Sequence, residues 1–326
     1  MTNLSENPVI CFAHAAYGLL DAYDALPASE RPAGTSAFQV ASREELAARI
    51  GEADIVVASG LWDNALLAKA PRLRLVQSVS AGVNQFDATA FAAHGVQLAS
   101  AQGANEQAVS EHAIAMLLAL ARRIHEARDN QARRVWRPMQ SDHGLREDVI
   151  GGKTLVIIGL GRIGGRLARL AKAFGMHVIG VRRDPSAGLN GADEVVATRD
   201  LLGVLPRADY VALTCPLTDE TKDIVDARAL AAMKPRSILV NLARGGCVVE
   251  ADLIAALRSG HLEAAGLDVT VEEPLPAASP LWEMPNVLVT PHTGGETRAY
   301  EASVTELLVE NIGRLRRGER LVNQIV

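Results

Sequence analysis

The chain has 326 residues, 48% hydrophobic and 22% charged, with a net charge of −5 from 33 basic and 38 acidic side chains. That length suits two domains with cores of their own, and that charge balance offers no general basic field to a nucleic acid. Cys11, Cys215 and Cys247 stand far apart, which excludes a disulfide scaffold and suits a reducing compartment.

The N-terminal MTNLSENP lacks the charged-then-apolar pattern of a leader, and the most apolar helical stretch, residues 113–121, is too short to span a bilayer. The expectation is a soluble cytoplasmic protein with no membrane partner. Arginines gather at 122–137 and 314–320, where they read as solvated helix faces or a C-terminal turn.

From residue 8 the pattern alternates short apolar strands with helices. Residues 8–13 and 37–40 are predicted strands, 43–50 a short helix, and 54–58, 73–77 and 96–99 further strands. Strands separated by helical segments imply a parallel sheet. The turn SAGVNQFD, residues 80–87, follows one of these strands, and the backbone N–H groups of Gly82 and Val83 could bind a carboxylate there. A plain turn is an equal reading of that stretch. SAQGAN, residues 100–105, reads as a hinge, after which Asn105 is expected to cap one long helix running to about residue 130.

The centre of the chain is KTLVIIGLGRIGGRLARLAKAFGMHVIGVRR, residues 153–183. A buried strand at 154–158 leads into Gly159, Gly161 and Gly164, then an amphipathic helix closed by Gly175, then a second strand at 177–181. The glycines fall where a β-α-β unit binds a dinucleotide. The first turns the chain, the second admits the pyrophosphate, and the third lets helix and strand pack closely. Where an acidic residue would bind the ribose of NAD, the sequence has Arg182 and Arg183, with Asp184 next. Two guanidiniums there favour the additional phosphate of NADP, and NAD stays possible should Asp184 take the ribose.

GGKT at 151–154 fails as a phosphate loop, because Glu147 occupies the glycine position and the stretch precedes its strand. HEARD at 125–129 lacks the second histidine of a zinc site, so no metal is expected. Beyond residue 183, strands are predicted at 209–214, 237–242, 262–268 and 286–290, for about six in all. An amphipathic helix from 296 to about 317 follows.

Three chemically active residues come after strands of this second series: Arg244 in NLARGG, Glu273 in LDVTVEEP and His292 in TPHTGG. An arginine can hold a carboxylate through two parallel hydrogen bonds and polarise a neighbouring carbonyl. A histidine can deliver a proton to the oxygen that becomes hydroxyl, and a carboxylate can orient it. Beside a nicotinamide these are the parts that reduction of a 2-keto acid requires.

Taken in order, SAGVNQFD, GANEQAVSEH, NLARGGCVVE, AAGLDVTVEEPLP and SPLWEMPNVLVTPHTGGET resemble the D-isomer-specific 2-hydroxyacid dehydrogenase family, over a match from about residue 54 onward. The resemblance implies two doubly wound α/β domains, with a Rossmann nucleotide-binding domain (102–292) inserted into a flavodoxin-like substrate domain (1–101 with 293–326). It implies that Arg244 binds substrate, that His292 donates the proton and that Glu273 is its acid partner. Gly159, Gly161, Arg162, Ile163, Gly164, Arg182, Arg183, Thr214, Cys215, Pro216, Ala243, Asp268 and Gly294 would serve the cofactor, with Asp268 near the nicotinamide carboxamide. Ala81, Gly82, Val83 and Asn105 would face the substrate. It further implies a homodimer built on the helix after the hinge, and a glyoxylate or hydroxypyruvate substrate. Glu273 in place of glutamine weighs against a formate dehydrogenase, and no regulatory domain is expected after the last helix. Two other readings stay open: a phosphite-oxidising relative, and a dinucleotide-sensing binding protein like the C-terminal-binding corepressors.

Overall fold

Short apolar and β-branched runs, each bounded by polar turns, form the strands of two parallel sheets, and the intervening helices lay their apolar faces on those sheets. The structure, a computed structural model, describes residues 4–326. It divides into two units, one holding the chain up to Asn105 together with Glu296–Val326, the other holding Glu106–Gly295.

The first unit begins β1 (Val9–Ala13), α1 (Leu19–Asp24), β2 (Ser36–Val40), α2 (Arg43–Arg49), β3 (Ile55–Ala58), β4 (Leu75–Ser78), α3 (Ala88–His94) and β5 (Gln97–Ala99). Its strands are parallel in the order β2-β1-β3-β4-β5, which is the flavodoxin order. Asp54, only 4% exposed, ties the start of this sheet together. Its Oδ2 accepts the Val9 N–H at 2.9 Å and meets Arg72 Nη2 at 2.7 Å, so a buried carboxylate is paired, as burial demands.

The second unit contains α4 (Glu106–Ala121), α5 (Ile124–Ala132), β6 (Thr154–Ile158), α6 (Arg162–Ala173), β7 (His177–Arg182), β8 (Glu194–Ala197), α7 (Leu201–Val204), β9 (Tyr210–Leu213), α8 (Ala227–Ala232), β10 (Ser237–Asn241), α9 (Glu250–Arg258), β11 (Leu262–Leu267) and β12 (Val287–Val289). Its seven strands are parallel in the order β12-β11-β10-β9-β6-β7-β8. Strand order reverses beside β6, so a crevice opens at the carboxyl ends of β6 and β9, where an α/β sheet receives its ligand. The chain then returns to the first unit as α10 (Tyr300–Arg317), whose Tyr300, Val304, Leu308 and Ile312 share a core with Ile10, Phe12, Ile55 and Val57.

Three expectations need correction. The second sheet has seven strands, not about six, because β8 forms an additional edge that is mostly only partly buried. The long helix after residue 105 is two helices, since Arg123 adopts φ 49° and ends the first one; its guanidinium is held by Glu126 Oε1 at 2.6 Å and Glu263 Oε1 at 2.5 Å. Asn105 does not cap α4, because its buried Oδ1 has no hydrogen-bond partner.

Among the described residues, no helix is long and apolar enough to cross a membrane, and no group of three or more His, Cys, Asp or Glu side chains is placed to hold a metal ion. All three cysteines are free and buried.

Candidate active site

The glycine turn joins β6 to α6. Gly159 stands at φ 101°, and a Cβ there would lie 2.4 Å from the Cys215 backbone nitrogen. A Cβ on Gly164 would lie 2.3 Å from Gly159 O. Both positions are therefore glycine because the chain itself leaves no room. Gly161 differs: its φ is −86°, and a Cβ there would meet nothing within 4 Å. The backbone N–H groups of Arg162, Ile163 and Gly164 donate to no other group of the described residues, and Gly165 N makes the first helical bond, to Gly161 O at 2.8 Å. An open cradle with unspent N–H donors at a helix start fits a dinucleotide pyrophosphate.

The end of β9 lies against this turn. Thr214 Oγ1 donates to Gly159 O at 2.8 Å, and Thr221 Oγ1 donates to Pro216 O at 2.6 Å, fixing the segment that holds Cys215. Hydrogen bonding to Cys247, whose Sγ is 4.0 Å away, and burial push the Cys215 thiol up, so it packs here as a neutral side chain.

At the end of β7, Arg182 Nη1 lies 3.4 Å from Ala187 O and 3.5 Å from Gly188 O. Arg183 Nε donates to Glu220 Oε2 at 2.9 Å in an exposed pair. Asp184 turns instead to Ser186, accepting its N–H at 2.9 Å and its hydroxyl at 2.6 Å. The Asp184 carboxylate is thus engaged locally, and both guanidiniums stand at the surface beside the turn.

The three candidate catalytic residues follow β10, β11 and β12 at the same carboxyl edge of the sheet. Arg244 is held by backbone geometry: Asn241 Nδ2 donates to Arg244 O at 3.1 Å, and Asn241 Oδ1 accepts the Ala243 N–H at 3.0 Å. Arg244 Nη1 donates to Ala243 O at 2.6 Å, and among the described residues its side chain makes no hydrogen bond to Glu273 or His292. The next residue, Gly245, packs so tightly that a Cβ would fall 2.0 Å from Thr270 O. Thr270 N in turn donates to Glu273 Oε1 at 3.1 Å. The arginine turn and the glutamate segment are therefore registered to each other through backbone.

Glu273 and His292 do meet. Oε2 of the glutamate lies 2.7 Å from Nδ1 of the histidine, and both side chains are more than one-third exposed. An ionised carboxylate only accepts, so Nδ1 carries the proton and Nε2 is the nitrogen left to exchange a proton with a ligand. His292 itself has φ 56°, a left-handed conformation that a non-glycine residue adopts at a cost of about 1–2 kcal/mol. Its N–H donates to Asp268 O at 2.8 Å, and the Asp268 carboxylate, with the residue 4% exposed, accepts the N–H groups of Thr293 at 3.0 Å and Gly294 at 3.0 Å. Asp268 and Gly294, read from sequence as cofactor positions, here anchor the histidine loop. His112 and Thr290, which sequence reasoning did not single out, complete that anchor. The signal available for His112 was a histidine on the largely apolar helix that follows the hinge.

In the first unit, Gly82 O accepts from Ser80 Oγ at 2.8 Å, which shapes the turn carrying Ala81, Gly82 and Val83. Asn105 closes that unit's segment.

Residues 114–294 match the family model described as D-isomer specific 2-hydroxyacid dehydrogenase, NAD binding domain. The chain is 40% identical over 259 residues to D-3-phosphoglycerate dehydrogenase of Mycobacterium leprae, covering 78% of this chain and 48% of that protein. It thus spans about half the length of the first curated relatives it matches. It is 36% identical over 276 residues to glyoxylate/hydroxypyruvate reductase B of Serratia proteamaculans, covering 83% of each. A D-isomer specific 2-hydroxyacid dehydrogenase family protein of Aeromonas salmonicida superposes with a TM-score of 0.84 at 30% identity, over 98% of this chain and 99% of that one. With more than half of its length matched by the family model, and with a relative 36% identical over 83% of each chain, the chain belongs to the D-isomer specific 2-hydroxyacid dehydrogenase family.

Proposed function

We propose that this protein reduces a small 2-keto acid of the glyoxylate or hydroxypyruvate type to the D-2-hydroxy acid, with NADPH as the reductant, in the cytoplasm. The observation that carries the proposal is the 2.7 Å Glu273–His292 pair at the sheet edge where the glycine turn also lies. When bound at that turn, the reduced nicotinamide supplies the hydride. Arg244 takes the substrate carboxylate and polarises the carbonyl, while His292 Nε2 passes a proton to the carbonyl oxygen. Glu273 holds Nδ1–H and stabilises the imidazolium before transfer. We assign the dinucleotide to the second unit, with Thr214, Cys215, Pro216 and Ala243 lining its site. The same reading gives Ala81, Gly82, Val83 and Asn105 of the first unit to the substrate.

Arg182 and Arg183 support NADPH over NADH. One charge-assisted hydrogen bond to a 2′-phosphate contributes roughly 1.5–3 kcal/mol, or about 10- to 100-fold in preference. A panel of glyoxylate, hydroxypyruvate, phosphohydroxypyruvate, pyruvate and phosphite, run with each dinucleotide, tests the reading. The expected result is turnover of glyoxylate or hydroxypyruvate with kcat/KM at least about 10-fold higher for NADPH. Activity on phosphohydroxypyruvate alone would move the substrate toward the phosphoglycerate dehydrogenase relatives, and activity on phosphite alone would overturn the keto-acid assignment.

We also propose a homodimer. Trp136 is 97% exposed and Met139 fully exposed, and Ile124, Val135 and Val149 of the same stretch are exposed as well. So much apolar surface in one segment favours a protein partner, and a second copy satisfies it. Sedimentation should give twice the 34.6 kDa chain mass; a monomer at micromolar concentration would remove this part of the reading.

A further inference from the structure

We propose that His112 is a positioning residue for the proton-donating loop, holding His292 through Thr290 and Asp268; this rests on the assignment of His292 as the proton donor. The hydrogen bonds leave little choice of direction. Thr290 Oγ1 lies 2.6 Å from Asp268 Oδ1, and a carboxylate cannot donate, so the single hydroxyl proton of Thr290 is committed to Asp268. His112 Nε2 lies 3.0 Å from the same Thr290 oxygen and must therefore donate to it. The relay runs from α4, to the residue that follows β12, to the carboxylate that follows β11.

Asp268 is the hub of the loop. Besides the Thr290 hydroxyl it accepts the N–H groups of Thr293 and Gly294, and its own carbonyl accepts the N–H of His292. These bonds come from both sides of His292 and hold its left-handed backbone in place. The His112 ring lies beside both feet of that loop. It donates to Thr290 on one side, and on the other a Cβ added to Gly294 would lie 3.3 Å from His112 Cδ2 and 2.7 Å from Asp268 Oδ2. His112 thus fixes the loop with no hydrogen bond of its own to His292 among the described residues.

Loss of the His112 donor leaves Thr290 held by Asp268 alone and lets this foot of the loop shift, and misplacement of a proton donor by a fraction of an ångström reduces turnover. His112→Leu should lower kcat for 2-keto acid reduction about 10-fold, with KM for the dinucleotide within about 2-fold of the parent. His112→Gln, which keeps an N–H donor on a side chain of comparable reach, should recover most of that loss. Thr290→Val should resemble His112→Leu and add little to it in the double variant, because both break one relay. Parental kcat in His112→Leu, equal losses in the Leu and Gln variants, or additive losses in the double variant would each overturn the proposal. A readout independent of turnover is the ¹⁵N spectrum of the parent protein, in which His112 Nε2 should carry a proton. The opposite tautomer refutes the relay even if the protein reduces keto acids. The expected tautomer, in a protein that reduces none, would leave the relay standing and remove the functional reading instead.

Discussion

His292→Gln is expected to lower kcat for 2-keto acid reduction by about 10²- to 10⁴-fold while leaving the melting temperature close to the parent value. The two halves of this expectation come from different observations. The imidazole is largely exposed and its one side-chain bond is to Glu273 at the surface, so removing it costs the core nothing. Its backbone is held by Asp268 whatever the side chain, so the loop keeps its shape. What disappears is the proton at Nε2, which glutamine cannot supply. KM for the dinucleotide should hardly move, because the glycine turn lies on other strands of the sheet. Steady-state kinetics with saturating cofactor, alongside a thermal melt, decide the matter. Near-parental turnover would strip His292 of its role and leave the protein a binder of dinucleotide. Glu273→Gln then separates orientation from charge, since an amide oxygen still accepts from Nδ1–H but no longer stabilises an imidazolium.

The parts of this fold that were legible from sequence are those in which local pattern and tertiary need coincide. Residues 154–158 read as a strand and form β6 over the same span, because a run of apolar residues closed by a glycine turn has few other uses. Arg244 and Glu273 come after strands that bury themselves and stop, whereas β12, before His292, is only half-buried and is marked in sequence by the turn residues of TPHTGG that end it. β8 is harder to read because its four residues, Glu194–Ala197, make only a short apolar run after a polar, glycine-containing loop, and as an edge strand it is mostly half-buried. The break between α4 and α5 escaped because arginine is a good helix former, so Arg122 and Arg123 read as a continuous helix. The break is held by the bond from Arg123 to Glu263, a contact across 140 positions that no local window contains. His112 was invisible for the same reason, since Thr290 lies 178 residues away. Long-range polar contacts leave no periodic trace in sequence, and here they set the histidine loop.

The glycine turn supplies the sharpest contrast, because two of its glycines are explained by the chain and one is not. Gly159→Ala should be poorly tolerated: φ of 101° is strained for alanine, and the new methyl would lie 2.4 Å from the Cys215 nitrogen. Strain and displaced backbone together cost about 2–4 kcal/mol, a fall in melting temperature of roughly 5–15 °C for a unit of this size. Gly161→Ala should behave in the opposite way. Its φ of −86° suits alanine, the methyl meets nothing within 4 Å, and reduced freedom in the unfolded chain holds stability level or raises it slightly. Yet a pyrophosphate resting on the unspent N–H groups of Arg162, Ile163 and Gly164 would lie close to this backbone, and the methyl would enter the open space it needs. Losing close contact between backbone and pyrophosphate should raise KM for the dinucleotide about 10- to 100-fold, equivalent to one charge-assisted hydrogen bond. A thermal melt paired with a cofactor titration reads both variants. If Gly161→Ala binds the dinucleotide as tightly as the parent, the pyrophosphate does not lie on this turn, and the open space at Gly161 must have another cause.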